Sequence, residues 1–449
     1  MKRHLTSLNH PAILLVLFGS ILLSGLLGGC RKGDGPPFFP RDDAGKYSSD
    51  VIDKWMSMQI RLERDATGIA NVAFERYYAY SGVAAFESIA PGTELGTLLK
   101  WNGLDSLPGI DRSKRYFWPA SINASLAAMN RSIFTAASAT DKAAIDSLEN
   151  ALNTSFLSGN NAELIQRSSV FGKSIGVAVF NWSETDGYHN DSDPYTSPVG
   201  PGLWTPTPPA FAKASTPYFG NNRPMVSEST DDTQPGAPLA YSEDPSSPFF
   251  KMVKQVYDAS QNLTADQTAD ALFWRDVPGV TTAGHWLSIL QQVIKQTNTH
   301  LDLGAFAYAI TGACQNDASI SCWKTKYQYT LVRPITYIRN VMGFTTWNSL
   351  LTTPAHPEYS SAHAVISSAA ADAFTAIFGN IGNFTDHTYD YLGFAPRTFP
   401  TFRAIGEDAG NSRLYAGIHY QPSIDAGLIQ GRLVASHILQ KFHLVMDGD

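Results

Sequence analysis

The sequence contains no cluster of basic residues, no sustained strand pattern and no repeat. Its 33 Lys and Arg against 40 Asp and Glu give a formal charge of −7. A mildly acidic chain without a basic patch argues against nucleic acid as a partner. Apolar and polar residues do not alternate over long stretches, whereas alanine-rich amphipathic segments are frequent. The 449 residues, 43% of them hydrophobic, therefore predict an all-α protein of helical bundles with a large core.

Cysteine is scarce, with Cys30, Cys314 and Cys322 the only three in the chain. Cys314 and Cys322 would be able to form a disulfide in an exported protein. They are eight residues apart in a region that is predicted to be helical, which is equally compatible with two buried thiols. The sequence leaves both alternatives open.

The first 29 residues have the pattern of an export signal. A basic Lys2-Arg3-His4 precedes an apolar run from Ala12 to Leu27, which is short for a membrane anchor. Leu27-Gly28-Gly29-Cys30 resembles a lipobox, in which cleavage leaves a diacylated Cys30. We expect residues 30–46 to form a Gly/Pro-rich tether. This predicts an exported bacterial lipoprotein, attached to the membrane by lipid alone, on the periplasmic or the cell-surface side.

The mature chain divides into three regions by composition. Residues 47–182 are predicted to form an N-terminal helical region. Residues 183–248 form a long connection, because 12 of the 26 prolines fall between Pro194 and Pro248, among several aromatic residues. Residues 249–449 are predicted to be the catalytic helical region, with helices at 249–262, 265–275, 283–313, 317–332, 361–378, 403–416 and 424–442.

The stretch from Pro354 to His363 carries the strongest functional signal. It precedes a small, apolar segment, Ala364 to Phe374, which is predicted to be a buried helix. Ser360 or Ser361 is the expected N-cap. The free N–H groups at the start of this helix would then create an anion site beside a hydroxyl and a histidine.

Two flanking segments add positive charge. Lys326 and Arg333 are seven residues apart, close to two helical turns, and Pro334 should end the helix at Arg333. Arg413 and His419 would lie on different faces of an unbroken helix, but a break at Gly417 would turn both toward one ligand. Two arginines and a lysine are suited to bind a tetrahedral oxyanion.

Together these segments resemble the signature shared by vanadium-dependent haloperoxidases and type 2 phosphatidic acid phosphatases. Its three parts are Lys326-x6-Arg333-Pro334, Ser360-Ser361-Ala362-His363 and Ser412-Arg413-x5-His419. The family usually has Pro and Gly where this chain has Ser360 and Ala362. Alanine keeps the backbone N–H that glycine would offer, unless the turn requires a positive φ. Segments around Trp204, Trp274, Trp286 and Trp323 also resemble bacterial haloperoxidases, so the similarity extends from about Lys54 to Phe442.

The haloperoxidase resemblance implies a vanadate cofactor acting as a Lewis acid, with hydrogen peroxide and halide as substrates. It implies that His419 bonds the vanadium and that His363 is the acid–base group. Lys326 would polarise the peroxide. The groups expected to hydrogen-bond the vanadate oxygens are those of Lys326, Arg333, Ser361, Ala362 and Arg413.

Two other functions use the same features. In an acid phosphatase, His419 would be the nucleophile and His363 would protonate the leaving alcohol. A lipid-anchored glycan- or peptide-binding protein is the non-catalytic alternative. The haloperoxidase-like segments and the absence of transmembrane helices from the mature chain favour the haloperoxidase. A small organic acceptor and a homo-oligomer are left open.

His356 suggests which halide is used. By resemblance, the residue seven before the acid–base histidine lines the halide side of the pocket, opposite an aromatic residue that is Trp323 here. Chloride-oxidising relatives have phenylalanine at this position, and algal bromide-oxidising ones have histidine. His356 therefore predicts oxidation of iodide and bromide rather than chloride. The alternative is that His356 only caps a turn and points elsewhere.

Overall fold

The computed structural model describes residues 43–95, 100–277 and 279–444. The predicted signal peptide, Cys30 and most of the tether lie outside these residues, so the lipid anchor stays a prediction. None of the described helices is both long and apolar enough to cross a bilayer.

Thirteen α-helices dominate the described residues, which confirms the all-α class. They are α1 (Asp50–Asp65), α2 (Ala73–Glu87), α3 (Trp118–Ile133), α4 (Ala139–Leu157), α5 (Ala162–Ser183), α6 (Pro248–Gln261), α7 (Ala265–Phe273), α8 (Thr282–Gln296), α9 (Leu301–Tyr329), α10 (Pro334–Asn340), α11 (Ala362–Phe378), α12 (Phe402–Tyr415) and α13 (Gln421–Lys441). One small antiparallel sheet pairs β1 (Phe384–Asp386) with β2 (Arg397–Phe399).

Helix α9 lies at the centre of the fold. Most of its 29 residues are buried, and it packs against α2 on one side and against α11 and α13 on another. This helix therefore joins the N-terminal helices to those that carry the predicted site.

The predicted buried helix after His363 is α11, whose small side chains allow close packing. Gly427 and Gly431 of α13 face the α11 backbone, and a Cβ at Gly431 would lie 2.0 Å from the Val365 carbonyl oxygen. Alanine at Gly431 would therefore push α13 away from α11. The close approach of these glycines to the α11 backbone holds the start of α11 against α13.

The predicted boundary between α8 and α9 was wrong. Instead of helices at 283–313 and 317–332, the chain breaks at Thr297–His300, where Asn298 has φ +49°, and α9 then continues to Tyr329. Cys314 and Cys322 both lie on α9 as free, buried thiols. Eight residues along one helix separate them by about 12 Å, too far for a disulfide.

The proline-rich connection packs on the segments that flank the site. The Trp204 N–H donates to the Thr330 carbonyl at 2.6 Å, and the Ser215 N–H donates to the Ala355 carbonyl at 2.8 Å. Between Ser183, which ends α5, and Pro248, which begins α6, the described residues form no α-helix. Proline explains this, because it has no N–H to donate to a helix.

Candidate active site

The N-terminus of α11 presents donors without partners. Ser361 is the N-cap, but its hydroxyl makes no capping hydrogen bond. That oxygen is buried and has no partner in the structure. Ala362 begins the helix without a positive φ, so the alanine that replaces the family's glycine causes no strain. A buried hydroxyl beside free helix N–H groups is costly unless a ligand satisfies it.

His419 is held as one neutral tautomer. Its Nδ1 lies 2.8 Å from Glu358 Oε1, a carboxylate oxygen that accepts, so the hydrogen is on Nδ1. Nε2 therefore carries a lone pair, and the Arg333 guanidinium is 3.2 Å from it. Burial, Arg333 and Lys326 hold the pKa of His419 well below its usual value. The imidazole is thus a base or a metal ligand at neutral pH.

Glu358 is the hydrogen-bond partner that fixes His419. Its two oxygens accept from His419, from the Tyr420 N–H at 3.0 Å and from the Ser423 hydroxyl at 2.6 Å. Burial raises its pKa, while Ser423, Arg333 and the Tyr420 N–H act in the opposite direction. The three donors of these hydrogen bonds, the His419 Nδ1–H, the Tyr420 N–H and the Ser423 hydroxyl, favour the charged form of the carboxylate.

Arg333 reaches the site from the turn between α9 and α10. Helix α9 ends at Tyr329, four residues before the predicted end, and Arg333 is the N-cap residue of α10. Its guanidinium donates to the carbonyl oxygens of His356 at 2.9 Å and Ile418 at 2.8 Å. These bonds fix a fully buried positive charge beside the lone pair of His419.

The predicted break at Gly417 is present. Helix α12 ends at Tyr415, and Gly417 has φ +77°, a conformation that glycine adopts without strain. This turn brings Arg413, at the end of α12, and His419 toward one place. Arg413 donates to the Ser412 hydroxyl at 2.9 Å and to the Ala271 carbonyl at 3.3 Å. A guanidinium has five N–H groups, so further donors remain for an anion.

His363 is also neutral, with its hydrogen on Nε2. That nitrogen is 3.0 Å from the Trp274 carbonyl oxygen, which only accepts. The unprotonated Nδ1 is therefore able to take up a proton. Burial and the charge of Arg413 hold the pKa of His363 well below its usual value. Asp276 Oδ1, 3.5 Å from Nε2, is placed to stabilise the imidazolium once it forms.

Lys326 is arranged differently from the expectation. Its ammonium donates to three main-chain carbonyls, those of Pro357 at 3.0 Å, Glu358 at 3.0 Å and Ser360 at 2.6 Å. Burial lowers its pKa to about 8. These hydrogen bonds hold the loop that carries Glu358 in place, and the ammonium adds a positive charge next to that loop. A direct bond from Lys326 to an anion requires release of one carbonyl.

His356 and Trp323 lie against each other, with ring centroids 5.2 Å apart. His356 Nδ1 is 3.1 Å from Arg333 Nη2, so His356 faces the cluster of cations. The Trp323 indole N–H donates to the Thr216 hydroxyl at 2.9 Å. One residue of the connection therefore fixes the ring that contacts His356.

Comparisons with known proteins find one similar domain and several similar folds. The model of the VCPO second helical-bundle domain matches residues 306–448. The crystal structure of the first bacterial vanadium-dependent iodoperoxidase superposes with a TM-score of 0.79 at 29% identity, covering 88% of this chain and 96% of that one. The chain is a relative of the vanadium-dependent haloperoxidases. No curated protein sequence is significantly similar to it.

Two further structures share the fold with this haloperoxidase relative. A holo bacterial vanadium-dependent chloroperoxidase has a TM-score of 0.64, and an apo form has 0.66. Each is 16% identical and matches 83% of this chain, over 92% and 93% of their own lengths. At 16% sequence identity, these two matches establish a shared fold and nothing about function.

The donor set of this haloperoxidase relative fits a tetrahedral oxyanion. Arg333 lies 3.2 Å from His419 Nε2, and the charge of Lys326 also acts on this imidazole. The charge of Arg413 acts on His363, and the Ser361 hydroxyl at the start of α11 has no partner. In the part of the chain that the structure describes, no group of three or more His, Cys, Asp or Glu residues is placed to hold a metal cation. The site is therefore built for an anion that accepts one nitrogen ligand.

Sequence reasoning missed four contributors to this site. Glu358 lies inside the quoted stretch but was given no role, and Asp276 was not singled out. The carbonyl of Trp274 and the hydroxyl of Thr216 leave no sequence signal. His285 is buried behind Trp274. It stacks on that ring at 4.3 Å and lies 2.6 Å from Asp386 Oδ2.

Proposed function

We propose that this chain is a vanadate-dependent haloperoxidase that uses hydrogen peroxide to oxidise iodide and bromide in preference to chloride. The observation that carries the proposal is the His419 Nε2 lone pair, held by Glu358 beside the buried guanidinium of Arg333. The bacterial iodoperoxidase and chloroperoxidase that share this fold are vanadium-dependent, and vanadate is a tetrahedral oxyanion of the kind that arginine and hydroxyl donors bind.

His419, Arg333, Arg413, Ser361 and the Ala362 N–H would hold vanadate in this site. When bound, vanadate supplies a Lewis acid that activates peroxide toward attack by halide. Glu358 keeps the His419 hydrogen on Nδ1, so that Nε2 stays available as a ligand. The two guanidinium groups offset the negative charge of the anion, and their burial strengthens this attraction.

His363 moves the proton. Its free Nδ1 accepts a proton from the incoming peroxide, which requires the neutral imidazole that the low pKa provides. The resulting imidazolium then returns the proton as hypohalous acid leaves. Asp276, 3.5 Å from Nε2, stabilises the charged form in between. Since the Trp274 carbonyl accepts from Nε2–H throughout, the ring keeps one orientation.

The halide preference rests on His356. Oxidation of chloride needs the most electrophilic oxygen and a dry pocket, in which a nearby cation acts at low dielectric. A half-buried imidazole admits water and competes for hydrogen bonds. Its contact with Arg333 supports this, because one guanidinium N–H is directed to His356 instead of the anion. Bromide and iodide are easier to oxidise and would tolerate the weaker activation.

The test is steady-state oxidation of the three halides at matched peroxide concentration and pH, with vanadate-reconstituted protein. We expect turnover of iodide and bromide and little or none of chloride. Chloride turnover comparable to that of bromide would contradict the role of His356. Dependence of all turnover on added vanadate tests the function itself. Hydrolysis of a phosphomonoester by the vanadium-free protein, without halide oxidation, would instead support the phosphatase.

Glu358→Gln should weaken vanadate binding by about 10- to 100-fold, the usual cost of losing a ligand's hydrogen-bond partner. The amide presents an N–H to His419 as readily as an oxygen, so the tautomer with Nε2 free is no longer enforced. Equilibrium dialysis with vanadium analysis measures the affinity. Glu243→Gln is a matched control, because Glu243 accepts from Tyr241 far along the chain from the site. Equal affinity in both variants would remove Glu358 from the proposal.

A further inference from the structure

Gln430 is a buried glutamine of α13 that reaches the residue before the N-cap of α11. The Ser360 hydroxyl donates to Gln430 Oε1 at 2.6 Å, and both side chains are buried. Gln430 lies between Gly427 and Gly431, the two glycines that let α13 approach the α11 backbone. The close approach of the two helices therefore brings this amide to the start of α11.

The hydrogen bonds of Gln430 give its amide one orientation. Nε2 donates to the Ser321 hydroxyl at 2.8 Å and to the Thr325 hydroxyl at 3.0 Å, both on α9. The Thr325 hydroxyl donates its own hydrogen to the Ser321 carbonyl at 3.1 Å, so it accepts from the amide. The Ser321 hydroxyl donates to Thr233 of the proline-rich connection, because the Thr233 hydrogen goes to a main-chain carbonyl. Both amide hydrogens are therefore directed to α9, and Oε1 is left to accept from Ser360.

Ser360 is held by its main chain and by its side chain. Its carbonyl oxygen accepts from the Lys326 ammonium at 2.6 Å, while its hydroxyl donates to Gln430. The next residue, Ser361, donates its N–H to the Ser423 carbonyl at 3.1 Å. Ser360 replaces the usual proline of the family signature, and proline has no hydroxyl for such a bond. In this chain, hydrogen bonds thus fix the path of the backbone into α11.

The position of the Ser361 hydroxyl depends on that path. An N-cap serine normally directs its hydroxyl to a helix N–H two or three residues on, but Ser361 does not. Its buried oxygen has no partner among the described residues. The backbone before it therefore determines where this oxygen lies. A donor in a binding site has to be placed within about 0.5 Å, and the hydrogen bonds of its neighbours supply this precision.

We propose that Gln430 is a positioning residue for the anion site, which acts through Ser360 to place the Ser361 hydroxyl. The inference deepens the proposed function and rests on it, because Ser361 is one of the groups proposed to hold vanadate. It concerns the binding of a tetrahedral oxyanion. It is therefore measured on vanadium-free protein with inorganic vanadate and, separately, with inorganic phosphate.

Gln430→Met tests the proposal, because methionine has a side chain of similar length without the acceptor and the donors. A hydrogen bond to a charged group accounts for roughly 10- to 150-fold in affinity, and a displaced Ser361 hydroxyl loses part of it. We therefore expect the dissociation constant for vanadate to rise by about 5- to 20-fold. Equilibrium dialysis with vanadium analysis measures this constant.

Ser360→Ala removes the other end of the same hydrogen bond. It should weaken vanadate binding by a similar factor. The double variant, Ser360→Ala with Gln430→Met, should bind vanadate as weakly as either single variant, within about 2-fold, because one hydrogen bond is lost in all three. A glutamine that only stabilised the fold would lower the affinity by a separate factor, and the two factors would multiply.

Gln59→Met is the matched control. Gln59 is also a buried glutamine that contacts α9, where its Oε1 accepts from the Tyr308 hydroxyl. Tyr308 lies about 25 Å from Thr325 along this helix, at a rise of about 1.5 Å per residue. Gln59→Met should lower the midpoint of thermal unfolding and leave the vanadate affinity at the wild-type level.

Three results would each overturn the inference: wild-type affinity in Gln430→Met, an equal loss in Gln59→Met, or multiplied losses in the double variant. If Gln430→Met does not fold, Ser360→Ala decides alone, and unchanged affinity in that variant would also overturn the inference. Phosphate binding that depends on Gln430, in protein that oxidises no halide with vanadate added, would refute the proposed function and leave the inference intact. Wild-type protein that binds neither anion would refute both.

Discussion

His419→Ala is expected to abolish stable vanadate binding. Among the described residues around the cations, only His419 combines an unprotonated ring nitrogen beside Arg333 with a carboxylate that fixes its tautomer. The remaining donors would still attract an anion by charge, but without the nitrogen–metal bond. We expect the affinity to fall by more than about 100-fold, the upper end of what loss of a ligand's hydrogen-bond partner costs. Vanadium analysis after gel filtration measures the retained metal.

His437→Ala is the control for this variant. His437 lies on α13, close in sequence to His419, and its Nδ1 is 3.2 Å from the Ser229 carbonyl oxygen, away from the cations. It should retain vanadium at the wild-type level. Stoichiometric vanadium in the His419→Ala protein would mean that another residue is the ligand.

His363→Ala is expected to lose turnover and to keep most of its vanadate affinity, the reverse of His419→Ala. Its side chain moves a proton and contributes little to holding the anion, so most of the vanadate affinity should remain. Loss of a positioned acid–base group typically costs about 10²- to 10⁴-fold in rate. We therefore expect kcat for iodide to fall in this range with vanadium still bound.

The two variants, His419→Ala and His363→Ala, are compared in both assays, vanadium retention and iodide turnover. If His363→Ala lost vanadium as completely as His419→Ala, the separation of ligand and acid–base roles would be wrong. A rate near wild type in His363→Ala would assign proton transfer to a different group, with Asp276 the nearest candidate.

The anion site could be predicted from sequence where local rules decide the geometry. The apolar run after His363 predicted α11, and the serines before it predicted the N-cap. Gly417 predicted the turn that redirects His419. Each of these depends on a few neighbouring residues, whose backbone preferences are strong.

Partners that are distant in sequence could not be predicted in the same way. Glu358 contacts His419 across 61 residues, and Glu63 contacts Thr281 across 218. A charged residue on an amphipathic helix is normally solvated, so burial of Glu63 contradicts the usual pattern. The carbonyl partners of Lys326 depend on the path of the loop from Pro357 to Ser360. The boundary between α8 and α9 was missed because the break depends on Asn298, which tolerates the left-handed conformation.

The three carbonyls that hold Lys326 separate folding from cofactor loading. A buried ammonium with no acceptor would make the fold depend on its anion, as a zinc finger depends on its metal. Here the main chain already satisfies that charge. The protein can thus fold without vanadium and be loaded afterwards. Occupancy then follows the supply of vanadate, and phosphate of the same shape would compete for a site that is already assembled.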